Sequence, residues 1–505
     1  MKRFFDSLER DARVDGTRPV LIDGEGPMSR GELLAAVSGM AEALRAAPRV
    51  IAILAPNGRD WVIAQLAAIV AGKTFVPLPT FFSAGQIAHI LDEASVDAVL
   101  VDATTRSDPR LRGIPTLPID RSGSADATLF LSDGFEQIIY TSGSTGEPKG
   151  VRHSGSQIAS IVNALAAATD ATGKDRYLSI LPLPMLLETI CAIFIPLLVG
   201  ARVTFDRVCA EQIFRGDVAG VAASFARHRP TASVLVPDLL RAFVAQLEAT
   251  QSRAPSSLRY VAVGGAPVSE HVAARAWDLG IPVHEGYGLS ECCSVVSLNR
   301  PGHRRGGTVG RPIRGLTVVI ENGEIVVAGP TVMDGYLGAS PAPKRWRTGD
   351  LGSFDHDGFL TIHGRKDNRI VTAMGRNISP EWVETALLAD HRIAVAAVTI
   401  AGGSSLTVVL IPSVQGEAWF SGADETDVRQ LIRACCAKLP DYAIPDRHVV
   451  VGQRDAVAAM LLTRGGRIIR CHLADFITSR VGAPIHGSSP ETTKSTEGNP
   501  DHEVL

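Results

Sequence analysis

Residues 138–150 read Ile138-Ile139-Tyr140-Thr141-Ser142-Gly143-Ser144-Thr145-Gly146-Glu147-Pro148-Lys149-Gly150. An apolar run of strand character enters a loop of hydroxyl pairs, glycines and one lysine. Glycine lets the backbone approach an anion closely and turn successive N–H groups toward it. The hydroxyls of Thr141, Ser142, Ser144 and Thr145 add donors, and Lys149 adds a positive charge, so the stretch suits the phosphates of a nucleotide. The G-x-x-x-x-G-K-[ST] spacing of a Walker loop is absent. A Gly/Ser loop alone also reads as a surface turn; the order Y-T-S-G-S-T-G-x-P-K-G is more particular than that.

Working outward, apolar strand-length runs alternate with helical patterns. Val50–Leu54, Thr74–Pro77 and Val96–Val101 read as strands, and residues 60–72 and 84–94 as the helices between them. Arg202–Phe205, Ser233–Pro237 and Tyr260–Val263 continue the rhythm. Such β-α-β-α order predicts parallel sheets covered by helices, an α/β fold. From about residue 305 the pattern changes to short strands with glycine turns, Thr317–Ile320 and Glu324–Val327 around Asn322-Gly323, and predicts a β subdomain over 305–366. Beyond the polar stretch Lys366–Asn368 come a helix (Pro380–Leu388), two strands (Ala394–Ile400, Leu406–Ile411) and a helix (Glu425–Leu439). The expected organisation is a large domain over 1–366, a small α+β domain over 367–480, and a disordered Ser/Pro/Thr/Glu/Gly-rich tail over 481–505.

The net charge of −3 speaks against a nucleic-acid binder, whose basic face would raise the balance. The seven cysteines are odd in number and form no C-x-x-C pair, which suggests reduced thiols in the cytoplasm and neither a disulfide framework nor a zinc site. The stretch Met185–Val199 contains Glu188 and Pro196 and falls short of the roughly 20 apolar residues that span a bilayer. The reading is therefore a soluble protein without an integral membrane segment.

The 138–150 stretch matches at every fixed position the signature of the adenylate-forming superfamily, which comprises acyl-CoA synthetases, firefly luciferases and peptide-synthetase adenylation domains. The resemblance extends to about residue 475 and is closest in character to acyl-CoA synthetases. Those proteins turn a carboxylic acid and ATP into an acyl-AMP and then pass the acyl group to a thiol. The resemblance implies ATP, Mg²⁺ and CoA, or a phosphopantetheine carrier, as cofactors and partners. It places Thr141, Ser142, Gly143, Ser144, Thr145, Gly146 and Lys149 at the phosphates, with Thr145 and Lys149 in catalysis. Gly264-Gly265-Ala266-Pro267 resembles the segment against adenine, so Gly265, Ala266 and Pro267 would touch the base. Glu285-Gly286-Tyr287-Gly288-Leu289-Ser290-Glu291 resembles the Y-G-x-T-E element, with Ser290 in place of threonine; Glu285, Gly286 and Gly288 would frame the base, Tyr287 would stack on it, and Glu291 would bind Mg²⁺. Arg347-Thr348-Gly349-Asp350 puts Asp350 on the ribose hydroxyls. Gly364-Arg365-Lys366-Asp367 puts Arg365 on the ribose or phosphate and makes Asp367 the hinge for a rigid-body rotation of the small domain.

Met374-Gly375-Arg376-Asn377-Ile378-Ser379-Pro380 resembles the loop that lines the pantetheine tunnel, with Gly375 leaving room for the thiol arm. The last motif departs from the family. In Leu461-Leu462-Thr463-Arg464-Gly465-Gly466-Arg467-Ile468-Ile469-Arg470 the catalytic lysine position is Arg467. Lysine is a compact point charge and arginine a longer planar fork, so the two are not equivalent between two anions.

For the acid, the resemblance points to Met185, Val236, Pro237, Gly264, Leu289 and Cys292, all apolar or small. No aspartate stands where amino-acid-activating members hold an ammonium, and Glu188 is a poor substitute by position. The expected substrate is a fatty, polyene or aryl acid. Two alternatives stay open: a catalytically weak nucleotide- or acyl-adenylate-binding homologue, because of Arg467, and an adenylating enzyme with an amine acceptor.

Overall fold

A computed structural model describes residues 1–124, 128–142, 148–371, 376–401, 405–452, 461 and 468–481. The expected disordered tail lies, apart from residue 481, outside these residues. Among them the strands form five sheets.

Val50–Leu54 shows how the large body is built. Ile51 and Ile53 belong to the main apolar core, while Ala52 and Leu54 belong to a second cluster with Ile87 and Ile90. A strand with both faces covered must be apolar throughout, and it reads as a continuous run rather than an alternation. It sits in a seven-stranded sheet, next to Thr74–Pro77 on one side and Ala98–Val101 on the other, parallel to both. The second large sheet has nine strands. Its centre is the parallel set Val283–Tyr287, Tyr260–Val263, Ala232–Leu235, Arg176–Ser179 and Arg202–Phe205. Leu178 and Val203 from this sheet share the main core with Phe75 of the other, and helical Leu33, Trp61, Ile161 and Phe194 fill the space with them.

The turn Asn322-Gly323 joins two strands, Thr317–Glu321 and Glu324–Ala328. Both turn residues have positive φ, +53° and +81°, as a two-residue hairpin of matching twist requires. These strands continue into Arg345–Phe354 and Leu360–Arg365 to make a four-stranded sheet. Further along, Ile393–Ala401, Ser405–Pro412 and Arg447–Val450 form a three-stranded sheet. Val398 and Leu410 pack on one face with Val383 and Leu431, and Ala397 and Val409 on the other with Leu473 and Ile477.

Most element bounds differ from those expected by a residue or two, and one shift has a local cause. The strand expected over Ser233–Pro237 ends at Leu235, and Pro237 opens a helix, because proline suits the first helical position. The helix expected over Glu425–Leu439 stops at Cys435, four residues short; Pro440 bars only Leu439 from helical backbone. The sequence reading also passed over the helix Lys2–Val14, although Phe4 and Leu8 at helical spacing both reach the core.

Candidate active site

Four parallel strands of the nine-stranded sheet end on one edge, and the candidate residues follow their carboxyl ends. Met185 follows Arg176–Ser179, Val236 and Pro237 follow Ala232–Leu235, Gly264–Pro267 follow Tyr260–Val263, and Gly288–Glu291 follow Val283–Tyr287. The crevice beyond the carboxyl ends of parallel strands is where α/β sheets bind ligands. Backbone approach is close here: a Cβ on Gly288 would lie 1.6 Å from the Ser294 carbonyl oxygen, so only glycine fits.

The strands that flank the expected phosphate loop lie side by side. The strands Glu136–Ser142 and Pro148–Ser154 pair antiparallel, with Thr141 opposite Lys149. Gly143, Ser144, Thr145 and Gly146, at the tip of the expected phosphate loop, lie outside the described residues, as do Gly375 and Arg467; Ser142 is described in its backbone only. The Lys149 ammonium lies 5.9 Å from the centre of the Tyr336 ring, and the Tyr336 hydroxyl donates to Glu291 Oε1 at 2.6 Å. One series of contacts thus runs from the hairpin to the expected metal ligand.

A second series joins Tyr287, expected at the base, to Asp350 and Arg365, expected at the ribose. The Tyr287 hydroxyl donates to Asp350 Oδ2 at 2.6 Å, and Arg365 Nη1 stands 3.1 Å from Asp350 Oδ1. Asp350 and Arg365 are opposite each other in the ladder of the four-stranded sheet. Burial pushes the Asp350 carboxyl above its ordinary value, against the hydrogen bond from Tyr287 and the charge of Arg365. Burial and the neighbouring carboxylates raise both phenols, Tyr287 beside Asp350 and Tyr336 beside Glu291, so each remains a donor.

Leu289, Glu291, Tyr336, Gly349, Arg365 and Asp367 line a common cavity of about 350 Å³. Glu324 lines it too, and the sequence reading took it only as a strand residue. Its carboxylate accepts from the Gly349 N–H at 3.2 Å and faces Arg347 at 3.1 Å and Lys366 at 3.4 Å. Burial opposes its ionisation, but these three partners outweigh burial and hold its pKa below the ordinary value. Only the fold brings Glu324 and Tyr336 to the cavity, since neither stands in a motif with Glu291 or Asp350.

Glu285 is buried, faces Arg304 at 3.5 Å and accepts from Asn299 Nδ2 at 3.3 Å. Burial raises its pKa. Gly265 has φ +88° and, with Ala266 and Pro267, is exposed, whereas Gly264 and Gly286 are half-buried. Among the expected acid-contacting residues, Met185, Val236, Pro237, Gly264 and Leu289 are half-buried at the crevice edge. Cys292 is placed differently: it is fully buried in the apolar cluster with Val296, Ile325, Val327 and Leu360. Leu187 and Cys191, which the sequence reading did not single out, are half-buried on the same segment as Met185. Between them Glu188 turns into the interior and accepts from the Tyr177 hydroxyl at 3.0 Å, and burial pushes its pKa up to about 8.

The chemistry of the donor set fits Mg²⁺. This ion is held by one or two carboxylates together with substrate phosphates and water, not by an all-protein cage. Glu291 offers one carboxylate at the cavity, its Oε1 oriented by Tyr336, on the side where Lys149 and the hairpin approach. Among the described residues no cluster of three or more His, Cys, Asp or Glu could hold a metal alone.

The family model for the AMP-binding enzyme matches residues 8–337. The chain belongs to the AMP-binding enzyme family. Among curated relatives, the 2-succinylbenzoate–CoA ligase of Bacillus subtilis is 28% identical over 486 residues, covering 90% of this chain and 96% of the relative. A long-chain-fatty-acid–CoA ligase of Mycobacterium tuberculosis is 26% identical, covering 79% and 83%. Among solved structures, the o-succinylbenzoate CoA synthetase of Bacillus subtilis in complex with its acyl-adenylate intermediate matches with a TM-score of 0.75 at 26% identity, over 92% of this chain and 97% of that one. The same synthetase with ATP and magnesium ion matches with a TM-score of 0.75 at 25% identity, over 92% and 98%. The expected adenylate-forming α/β fold is thus the fold of the chain.

Proposed function

We propose that the site activates a carboxylic acid with ATP and passes the acyl group to a thiol. The chain is an AMP-forming acid–thiol ligase of the acyl-CoA synthetase kind. The acid's carboxylate attacks the α-phosphorus of ATP, pyrophosphate leaves, and the acyl-AMP is then attacked by the thiol of CoA with release of AMP. The observation that carries the reading is the meeting of two contact series at one crevice: Lys149–Tyr336–Glu291 on the phosphate side and Tyr287–Asp350–Arg365 on the nucleoside side.

In this reading Lys149 and the hairpin hold the β- and γ-phosphates. Asp350 exchanges its internal donors, Tyr287 and Arg365, for the two ribose hydroxyls, which frees the Tyr287 ring to lie against the base. Glu291 would hold Mg²⁺, which neutralises charge on the phosphates and on the departing pyrophosphate. Arg467 supplies the cation between carboxylate and α-phosphate. The small body over 367–480 then turns about Asp367 and brings the Gly375 loop to the pantetheine arm.

Met185, Leu187 and Cys191 give the segment after Pro184 half-buried carbon and sulfur side chains, and its one acid, Glu188, points inward with a pKa that burial pushes up to about 8. Such a segment suits an aryl or fatty acid and offers no carboxylate to an ammonium group. Its relatives' acids, 2-succinylbenzoate and long-chain fatty acids, are of these two kinds. Among the described residues no helix is long and apolar enough to cross a membrane; we read the enzyme as cytoplasmic. The test is acid-dependent ATP–pyrophosphate exchange over a panel of aryl, fatty and amino acids, followed by mass spectrometry of the products with CoA. Exchange with no acid, but tight AMP binding, overturns the reading in favour of a non-catalytic adenylate binder.

A further inference from the structure

Tyr336 belongs to none of the nucleotide motifs, yet the fold locks it between two of them. Gly335–Tyr336 is a two-residue strand paired antiparallel to Pro148–Ser154, the strand that leaves the expected phosphate loop, with Tyr336 opposite Val151. The N–H of Asp334 donates to Arg152 O at 3.0 Å and that of Leu337 to Gly150 O at 2.8 Å, so the backbone is fixed on both sides of the tyrosine. Two residues before that strand, the N–H of Met333 donates to the carbonyl of Glu291 itself at 2.8 Å. The same short segment is therefore tied to the expected phosphate hairpin and to the backbone of the expected metal ligand.

The side chain repeats the connection. The ring packs edge-on against Trp346 at 6.0 Å, which leaves its hydroxyl directed at Glu291 Oε1, 2.6 Å away, while the Lys149 ammonium rests 5.9 Å from the ring centre. A cation within about 6 Å of an aromatic centroid is attracted to the ring. A phenylalanine would fill the same space, so packing alone leaves the hydroxyl unexplained. A glutamate carries three side-chain torsions, and ordering them costs entropy. The hydrogen bond from a fixed tyrosine settles that orientation in advance and leaves Oε2 for the ligand.

We propose that Tyr336 is a positioning residue for the metal-binding carboxylate: its hydroxyl orients Glu291 for the Mg²⁺ of Mg·ATP, and its strand ties that orientation to the phosphate hairpin. The proposal rests on the reading of Glu291 as the metal ligand. Partners that hold a ligating carboxylate typically change metal affinity by about 10- to 100-fold when removed.

The test is calorimetric binding of α,β-methylene-ATP, which adenylation cannot cleave, with Mg²⁺ and with chelator, to wild type, Y336F, E291Q and the double variant. In Y336F the affinity with Mg²⁺ falls by about 10- to 100-fold, while binding in chelator and the unfolding midpoint stay at wild-type values. The double variant binds no more weakly than E291Q, because the hydroxyl acts through the carboxylate. If Y336F keeps the wild-type response to Mg²⁺, or weakens both forms equally, or adds its full effect to that of E291Q, the proposal is wrong while the reading of Glu291 stands. If wild type itself shows no response to Mg²⁺, the reading of Glu291 falls and the proposal with it.

Discussion

His153 gives this fold a measurable sensitivity to acid. It sits on the strand that leaves the expected phosphate loop, is fully buried, and neither ring nitrogen reaches a hydrogen-bond partner among the described residues. Burial pushes its pKa down to about 4 from 6.5; the Ser290 backbone and Gln157 side chain lie close enough to oppose the shift but do not cancel it. The folded-state pKa is depressed, so between pH 6.5 and about 4 the unfolded chain binds a proton that the native state refuses, and stability falls as pH falls through that window. At pH 5 an unfolded histidine is almost wholly protonated and the buried one is not. The resulting loss relative to pH 7 is about 2 kcal/mol. The perturbation is H153Q, which keeps a polar side chain but does not titrate. The assay is urea unfolding followed by tryptophan fluorescence at pH 7 and pH 5. Wild type should lose about 2 kcal/mol more than the variant between the two. His284, whose pKa burial also pushes down to about 4, contributes the same sign in both proteins and drops out of the comparison. Identical losses in wild type and H153Q would refute the reasoning.

E291Q should lower acid-dependent pyrophosphate exchange by roughly 100-fold or more while the protein stays folded, because a neutral amide is a weaker Mg²⁺ ligand; exchange at the wild-type rate removes the metal role. D367P should spare adenylate formation and slow thioester formation, since proline fixes φ near −65° and the neighbouring N–H groups of Lys366, Asn368 and Arg369 are the ones engaged. Equal loss of both half-reactions, read by exchange and by CoA-dependent product, speaks against a hinge there. R467K should speed adenylate formation and R467A should slow it, by an amount set by the few kcal/mol that a preorganised cation contributes; an unchanged rate in R467A shows that another cation, such as Lys438, serves.

Much of the large body was legible because its buried parallel strands are short runs rich in apolar and β-branched residues, set between helical patterns. Val50–Leu54, Thr74–Pro77, Arg202–Phe205 and Tyr260–Val263 have the bounds expected of them. The site was legible only where its residues lie close together in the chain. Tyr287 and Glu291 share one motif; Glu324 and Tyr336 belong to the same cavity and carry no local mark, because a strand residue and a Gly-Tyr pair are ordinary until the sheets are assembled. The segment after Pro184 was opaque for another reason. Ile190–Phe194 is a π-helical turn, and its extra residue shifts the helical register, so spacing alone does not carry the face of Leu187 and Glu188 through to the residues from Cys191 on.

The ladder pairing of Asp350 with Arg365 also has a use in protein engineering. Arg365 is the last residue of its strand and is held across the sheet by Asp350, so the pair is complete before the chain leaves the four-stranded sheet. A chimera that exchanges everything after Lys366 for the matching part of a relative therefore inherits both residues of that pair from one parent. Under the proposed reading, recombination at this junction would exchange the acceptor half and leave nucleoside recognition with the recipient.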